Sequence, residues 1–109
     1  MSSFDDRERA EEARYALDQE TQFKVVARRN KLLGLWAAEL MGLETGAAET
    51  YAKSVVIADL EEAGDGDVIR KVLADFAAAG VSQTAAAIEE QLARLTPVAR
   101  DQIMKDIKA

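Results

Sequence analysis

Four basic side chains in the first third of the chain are the residues whose types and spacing could bind a charged ligand. They are Lys24, Arg28, Arg29 and Lys31, and residues 21–38, which contain them, include no acid. Spacings of four and three residues place Lys24, Arg28 and Lys31 on one helical face, whereas Arg29 is turned about 100° from Arg28. Such a face could hold the phosphates of a nucleotide, an acidic protein surface or the chain's own acidic N-terminus. The alternative is an ordinary charged outer face of a helix.

Two other groups of residues resemble ligand-binding motifs but fail on spacing. Gly64-Asp65-Gly66 begins like a dinucleotide fingerprint, yet it follows a predicted helix, and Ile69 stands where the third glycine is required. Asp65 and Asp67, with the glutamates at 61 and 62, suggest a calcium loop, but Ile69 breaks that spacing too. N-capping of helix 3 by the acids of the turn 64–67 explains them. The pairs 61–62 and 89–90 are adjacent glutamates, which point about 100° apart on a helix. We predict neither a metal site nor a paired-carboxylate site.

The composition excludes most catalytic chemistry. The chain has no His and no Cys, so it cannot form a zinc finger, an iron-sulfur cluster, a disulfide scaffold or a Ser-His-Asp triad. With 20 acids against 14 bases the net charge is −6, which disfavours general binding to nucleic acid. We therefore predict that the protein is not an enzyme, needs no cofactor and binds no nucleic acid.

The N-terminal segment, residues 1–19, is highly charged and has few apolar anchors. Residues 1–20 contain seven acids and three bases, and after Met1 only three large apolar side chains. Ser3 and Asp6 resemble a capping box, and Asp5 and Arg9 form a favourable i,i+4 pair. We interpret the segment as flexible or conditionally helical, ordering on a partner. A solvated first part of helix 1 is the alternative.

The rest of the chain, residues 20–109, predicts an all-α domain of four antiparallel helices joined by short loops. Glycines 42, 64 and 80 end the first three helices, and helix 4 begins after Ser82 or Thr84. Thr96-Pro97 predicts a kink or a fresh helix start. Each helix has an apolar stripe that we expect to be buried. In helix 1 (20–41) the stripe is Val26, Leu33, Trp36, Ala37 and Leu40, and in helix 2 (47–63) it is Ala52, Val55, Val56 and Leu60. In helix 3 it is Val68, Ile69, Val72, Leu73, Phe76 and Ala77, and in helix 4 it is Ile88, Leu92, Leu95, Ala99, Ile103 and Ile107.

No signal peptide or membrane span is evident in the sequence, so we expect a cytoplasmic protein.

Several blocks of residues, taken together, resemble the α-proteobacterial ζ subunit, the small inhibitor of F1Fo-ATP synthase. The resemblance covers nearly the whole chain. It implies a four-helix bundle that suppresses ATP hydrolysis by F1, with an N-terminal helix that inserts at a catalytic α/β interface beside the γ subunit. The blocks are Phe4-Asp5-Asp6-Arg7-Glu8, Ala27-Arg28-Arg29-Asn30-Lys31-Leu32-Leu33-Gly34-Leu35-Trp36-Ala37-Ala38-Glu39 with Gly42-Leu43, Tyr51-Ala52-Lys53, Glu61-Glu62-Ala63-Gly64-Asp65 and Asp67-Val68.

The resemblance also implies where the partners bind. It predicts a protein that is a monomer when free, that sits at the inner membrane only through the synthase, and that binds ADP or ATP on the bundle. We assign the nucleotide to Lys24, Arg28, Arg29 and Lys31. Since no histidine is present, we expect control by nucleotide, by the state of the enzyme or by concentration, and a nucleotide bound at the basic face could act as the switch. A generic helical adaptor or nucleotide-sensing interaction protein is the alternative. The residues expected to contact F1 are Phe4, Asp5, Arg7, Arg9, Arg14, Tyr15 and Leu17.

Overall fold

A computed structural model describes the backbone of residues 2–60 and 64–108 and the side chains of residues 19–60 and 64–107. Over these residues the regular secondary structure is helical throughout. Four helices follow one another, which confirms the predicted all-α four-helix bundle. They are α1 (Ser2–Leu40), α2 (Thr45–Asp59), α3 (Gly66–Ala78) and α4 (Ala85–Lys108). None of the described helices is both long and apolar enough to cross a membrane.

The first helix is much longer than the others. α1 has 39 residues and α4 has 24, which correspond to about 58 Å and about 36 Å at 1.5 Å per residue. The longest dimension of the molecule is 62 Å, so α1 runs along almost all of it. The predicted N-terminal segment is thus one continuous helix with the predicted helix 1. Its backbone does not fold back onto the basic face.

The core lies where all four helices meet. The first buried residue among the described side chains of α1 is Val25. Further along α1, the ring of Trp36 packs edge-on against the ring of Phe76 of α3, with ring centroids 5.6 Å apart. A second, smaller cluster joins α1 to α4 through Val25, Ala99 and Ile103. The main cluster comprises Leu33, Ala37, Val55, Val68, Val72, Phe76, Ile88 and Leu92.

Most of the expected stripe residues are buried or half-buried, but the ends of the stripes are exposed. Leu40, Leu60 and Ile107 are 41%, 62% and 53% exposed, and Ala77 is exposed as well. Each lies in the last turn of its helix or just beyond it, where no neighbouring helix covers it. Helical spacing predicts which face turns inward, but it does not predict how far the covering helices extend.

Glycines at two helix ends adopt the conformation that the sequence predicted. Gly42 and Gly80 have φ of +72° and +74°. After Gly42, the Leu43 N–H donates to the Ala38 carbonyl (2.9 Å), and after Gly80 the Val81 N–H donates to the Phe76 carbonyl (2.8 Å). These are Schellman bonds, which satisfy carbonyls that the helix leaves free.

The fourth helix begins where predicted but does not restart at Pro97. Thr84 Oγ1 accepts from the Ala87 N–H (3.1 Å), so Thr84 is the N-cap. α4 then continues unbroken through Pro97, and Thr96 Oγ1 donates to the Leu92 carbonyl (2.8 Å) instead of capping a new helix. The apolar stripe explains this, because Leu92, Ala99 and Ile103 are buried on both sides of the proline. The exposed position of Pro97 leaves the unbonded carbonyl four residues earlier accessible to water.

Candidate functional site

The structure brings three of the four predicted basic residues to one cleft. Lys24, Arg28 and Lys31 line a space of about 360 Å³ between α1, α2 and α4. The apolar side chain of Phe23, 62% exposed, lies at the same cleft. Both lysines are exposed, and neither makes an ion pair with a residue whose side chain the structure describes. The cleft therefore presents, beside an apolar surface, two positive charges that no described carboxylate neutralises.

Arg28 connects this cleft to α4. Its guanidinium donates to Gln102 Oε1 (2.9 Å) and to Asp106 Oδ2 (3.0 Å). The Asp106 carboxylate is 60% exposed, so the ion pair is largely solvated. A phosphate bound at the cleft would compete with Asp106 for Arg28.

Arg29 points away from this cleft and is 8% exposed. Its guanidinium donates to Asp65 Oδ1 (2.7 Å) and Oδ2 (3.5 Å), and also to Asn30 Oδ1 (3.0 Å and 3.2 Å). Asp65 occupies the N-cap position of α3, but its side chain makes no capping bond. The prediction that Asp65 caps α3 is therefore wrong in this respect. The nearby buried guanidinium is the stronger partner for that carboxylate.

The carboxyl of Asp59, at the end of α2, belongs to the same charged cluster. Burial raises the pKa of Asp59, and the Arg29 guanidinium and the Asn30 amide oppose that rise. The charges of Asp65 and Asp67 raise the pKa further. Asn30 is fully buried, and its Nδ2 has no hydrogen-bond partner within 3.5 Å among the described residues. The cluster thus joins α1, the end of α2 and the start of α3 around one arginine.

A second polar cluster, which sequence reasoning did not single out, joins α2 to α3. Tyr51 Oη donates to Asp75 Oδ2 (2.7 Å), and Lys71 Nζ bonds the same oxygen (3.0 Å). The Lys71 ammonium also lies 5.1 Å from the centroid of the Tyr51 ring. Burial, the hydrogen bond and the charge of Asp75 raise the pKa of Tyr51. The sequence shows the i,i+4 spacing of Lys71 and Asp75, but it does not indicate that Tyr51, 24 residues before Asp75, joins them.

The residues predicted to contact F1 are all on the first half of α1. Their backbone is helical, and their side chains lie outside the described residues. Among the described side chains of this end of the helix, residues 19, 20 and 22–24 are exposed. The residues predicted to contact F1 are Phe4, Asp5, Arg7, Arg9, Arg14, Tyr15 and Leu17.

No group of three or more acidic residues in the described part of the chain could hold a metal ion.

Comparisons with known proteins identify a family and a similar solved structure. The family model described as ATPase inhibitor subunit zeta matches residues 1–102 of this chain. A protein whose structure was solved by solution NMR shares 46% sequence identity and superposes with a TM-score of 0.70. The match covers 78% of this chain and 96% of that one. A search of curated proteins finds no match.

Proposed function

The chain belongs to the ATPase inhibitor subunit zeta family, and from this premise we propose that it blocks ATP hydrolysis by inserting its N-terminal helix at a catalytic α/β interface of F1, beside the γ subunit. Membership of this family makes the protein a regulatory, inhibitory subunit of ATP synthase rather than a catalytic one. The insertion and the identity of the contacted subunits are the proposal.

The length of α1 is the observation that carries the proposal. α1 is about 22 Å longer than α4, which is the longest helix that packs against it. Val25 is the first buried residue among its described side chains. A helix of this length, whose described core residues begin only at Val25, can enter a cleft while the bundle remains outside.

Inhibition would be obstruction. Catalysis by F1 requires the α/β interface to open and close as the central stalk rotates, and a helix wedged into the interface prevents that cycle. The charged composition of residues 1–19 suits this role, because a helix with few apolar anchors gains most of its order on binding. Phe4, Tyr15 and Leu17 supply the apolar contacts, while Arg7, Arg9, Arg14 and the acids such as Asp5 match charges in the cleft.

A pair of proline substitutions tests the helical insertion. Proline in a helix interior costs about 3 kcal/mol, whereas the first turn tolerates it because its N–H groups are unbonded. Ala10→Pro should therefore weaken inhibition of F1 strongly, and Ser3→Pro, in the first turn of α1, should leave it nearly unchanged. ATP hydrolysis by F1 is measured against inhibitor concentration for both. Equal inhibition by Ala10→Pro and the wild type would contradict a helical insertion.

The same protein is also proposed to bind adenine nucleotide weakly on the bundle. The cleft of Lys24, Arg28 and Lys31 supports this, because it offers an apolar surface for a base and two ammonium groups that pair with no described carboxylate. Arg29, the fourth residue assigned to the nucleotide, does not line this cleft and is bonded to Asp65. It would contribute only by leaving that partner.

Titration of ADP or ATP into isotope-labelled protein tests the nucleotide proposal. Amide resonances near Lys24 to Lys31 should shift, and the double variant Lys24→Ala/Lys31→Ala should weaken binding several-fold. The matched control is Lys105→Ala, a lysine on α4 whose ion pair with Asp101 is solvent-exposed. An absence of shifts in this part of α1 would remove the proposal.

A further inference from the structure

A groove between α1 and α4 lies open beside the start of α3. It encloses about 610 Å³. Val25 is buried at its floor, and Met104 on its wall is 40% exposed. We call it the α1–α4 groove; its main lining residues are Gln22, Val25 and Val26 of α1 and Thr96, Arg100 and Met104 of α4.

The groove is open because α3 is short. α3 has 13 residues, about 20 Å, and covers only part of the 36 Å or so of α4. Thr96 lines both the α1–α4 groove and the cleft where Ile69 of α3 meets α4. The groove therefore continues the line of α3 along the same flank of α4. A helix of about three turns would complete the bundle at this end.

The groove also continues a stripe of α1 that belongs to the proposed inhibitory segment. Positions 4, 15 and 26 are eleven residues apart, which is close to three helical turns, so they lie within about 40° of one another. Phe4 and Tyr15 are apolar contacts in the proposed function, and Val26 lines the groove. A surface of F1 that follows this stripe out of the catalytic interface reaches the groove.

Arg100 sets the charge that an occupant needs. It is exposed on the groove wall and makes no ion pair with any residue whose side chain is described. Met104 lies one turn further along α4, with Val25 and Val26 opposite. This surface fits an amphipathic helix that buries apolar side chains and carries an acid opposite Arg100.

We propose that the α1–α4 groove docks a short amphipathic, acid-bearing helix of the F1 subunit that the N-terminal segment contacts. The docking rests on the proposed function and extends it. The N-terminal helix obstructs the interface, and the groove holds the bundle at its entrance. The groove thus contributes affinity without contributing to the block itself.

Charge reversal at two arginines of α4 tests the docking with the full chain. Arg100→Glu, on the groove wall, should weaken binding to F1 about tenfold and leave the maximal inhibition at saturation unchanged. Met104→Ala should weaken binding several-fold. The matched control Arg94→Glu, exposed on the same helix, should bind as the wild type does. Thermal unfolding of all three should match the wild type, since these side chains are exposed.

Wild-type affinity of both groove variants would overturn the proposal, and so would an equal loss for Arg94→Glu. A photoreactive phenylalanine analogue in place of Met104 should cross-link to an F1 α or β subunit. Cross-linking only to a second copy of this chain, or to its own N-terminal segment, would also overturn it. Loss of affinity in Arg100→Glu together with full inhibition by a chain lacking residues 1–18 would support the docking and refute the proposed insertion.

Discussion

Arg28 and Arg29 show how neighbouring residues of like charge take different roles. Arg28 reaches α4, where it binds Gln102 and a largely solvated Asp106. Arg29 is buried and binds Asp65, 36 residues later in the chain. Helical geometry predicts that the two point about 100° apart. It does not reveal that one of them holds the start of α3 against α1, because the partner depends on how the helices pack.

Removal of the Arg29 guanidinium should destabilise the protein. Arg29→Met leaves the Asp65 carboxylate and the buried Asn30 oxygen without their donor. Breaking a buried pair costs 3–5 kcal/mol, and the 45% exposure of the Asp65 side chain reduces this to about 2–3 kcal/mol. Urea unfolding measures the change, with Arg94→Met, which is exposed, as a control within about 0.5 kcal/mol. Equal stability of the two variants would contradict the role assigned to Arg29.

Asp59 should make stability depend on pH in a defined direction. Because burial raises its pKa in the folded state, its contribution to stability is present at low pH and is lost as pH rises through the folded pKa. Asp59→Asn should therefore raise the unfolding temperature at pH 7, and this gain should shrink as the pH falls toward 4.

The exposed Asp101, which pairs with Lys105 on the surface, supplies the control for this pH dependence. Asp101→Asn should change stability little at either pH. Thermal unfolding at a series of pH values gives the comparison. A loss of stability at pH 7 in Asp59→Asn would show that the attraction of Arg29 outweighs the cost of burying the carboxylate.

At the scale of elements, apolar spacing predicts the four helices well, but their ends and contacts poorly. The glycine ends at 42 and 80 were predictable because a left-handed C′ residue favours glycine. The continuity of α4 through Pro97 was not, because it depends on burial of the stripe on both sides. The open α1–α4 groove was also unpredictable, since it depends on which part of α4 the short α3 covers.

Gly34 lies at a close approach of α1 and α2. A Cβ there would lie 2.6 Å from the Ala52 Cα and 3.2 Å from Val55 Cγ2, so the helices would have to separate. Gly34→Ala should lower the free energy of unfolding by about 1–2 kcal/mol, despite the better helix propensity of alanine. Gly46→Ala, where nothing lies within 4 Å, should leave stability unchanged or raise it by up to about 1 kcal/mol. The opposite order in denaturant unfolding would contradict this packing.

At the scale of the whole molecule, the chain combines a short bundle with a long first helix. Its net charge of −6 divides into −4 for residues 1–20, +4 for residues 21–38 and −6 for the rest. The acidic and basic stretches follow each other along one continuous helix, so the basic cleft remains open while the acidic end extends from the bundle. The division of charge could be predicted from the sequence. The separation of the acidic stretch from the basic cleft could not, because it depends on α1 being one continuous helix.

The most direct measurement is ATP hydrolysis by F1, from the organism that encodes this chain, titrated with the full chain and with a chain lacking residues 1–18. The truncation removes no described core residue, because Val25 is the first buried residue among the described side chains, so the bundle should keep its helical circular dichroism and cooperative unfolding. We predict that the full chain inhibits hydrolysis to a low residual rate and that the truncated chain does not. Inhibition by the folded, truncated chain at a similar concentration would contradict the account.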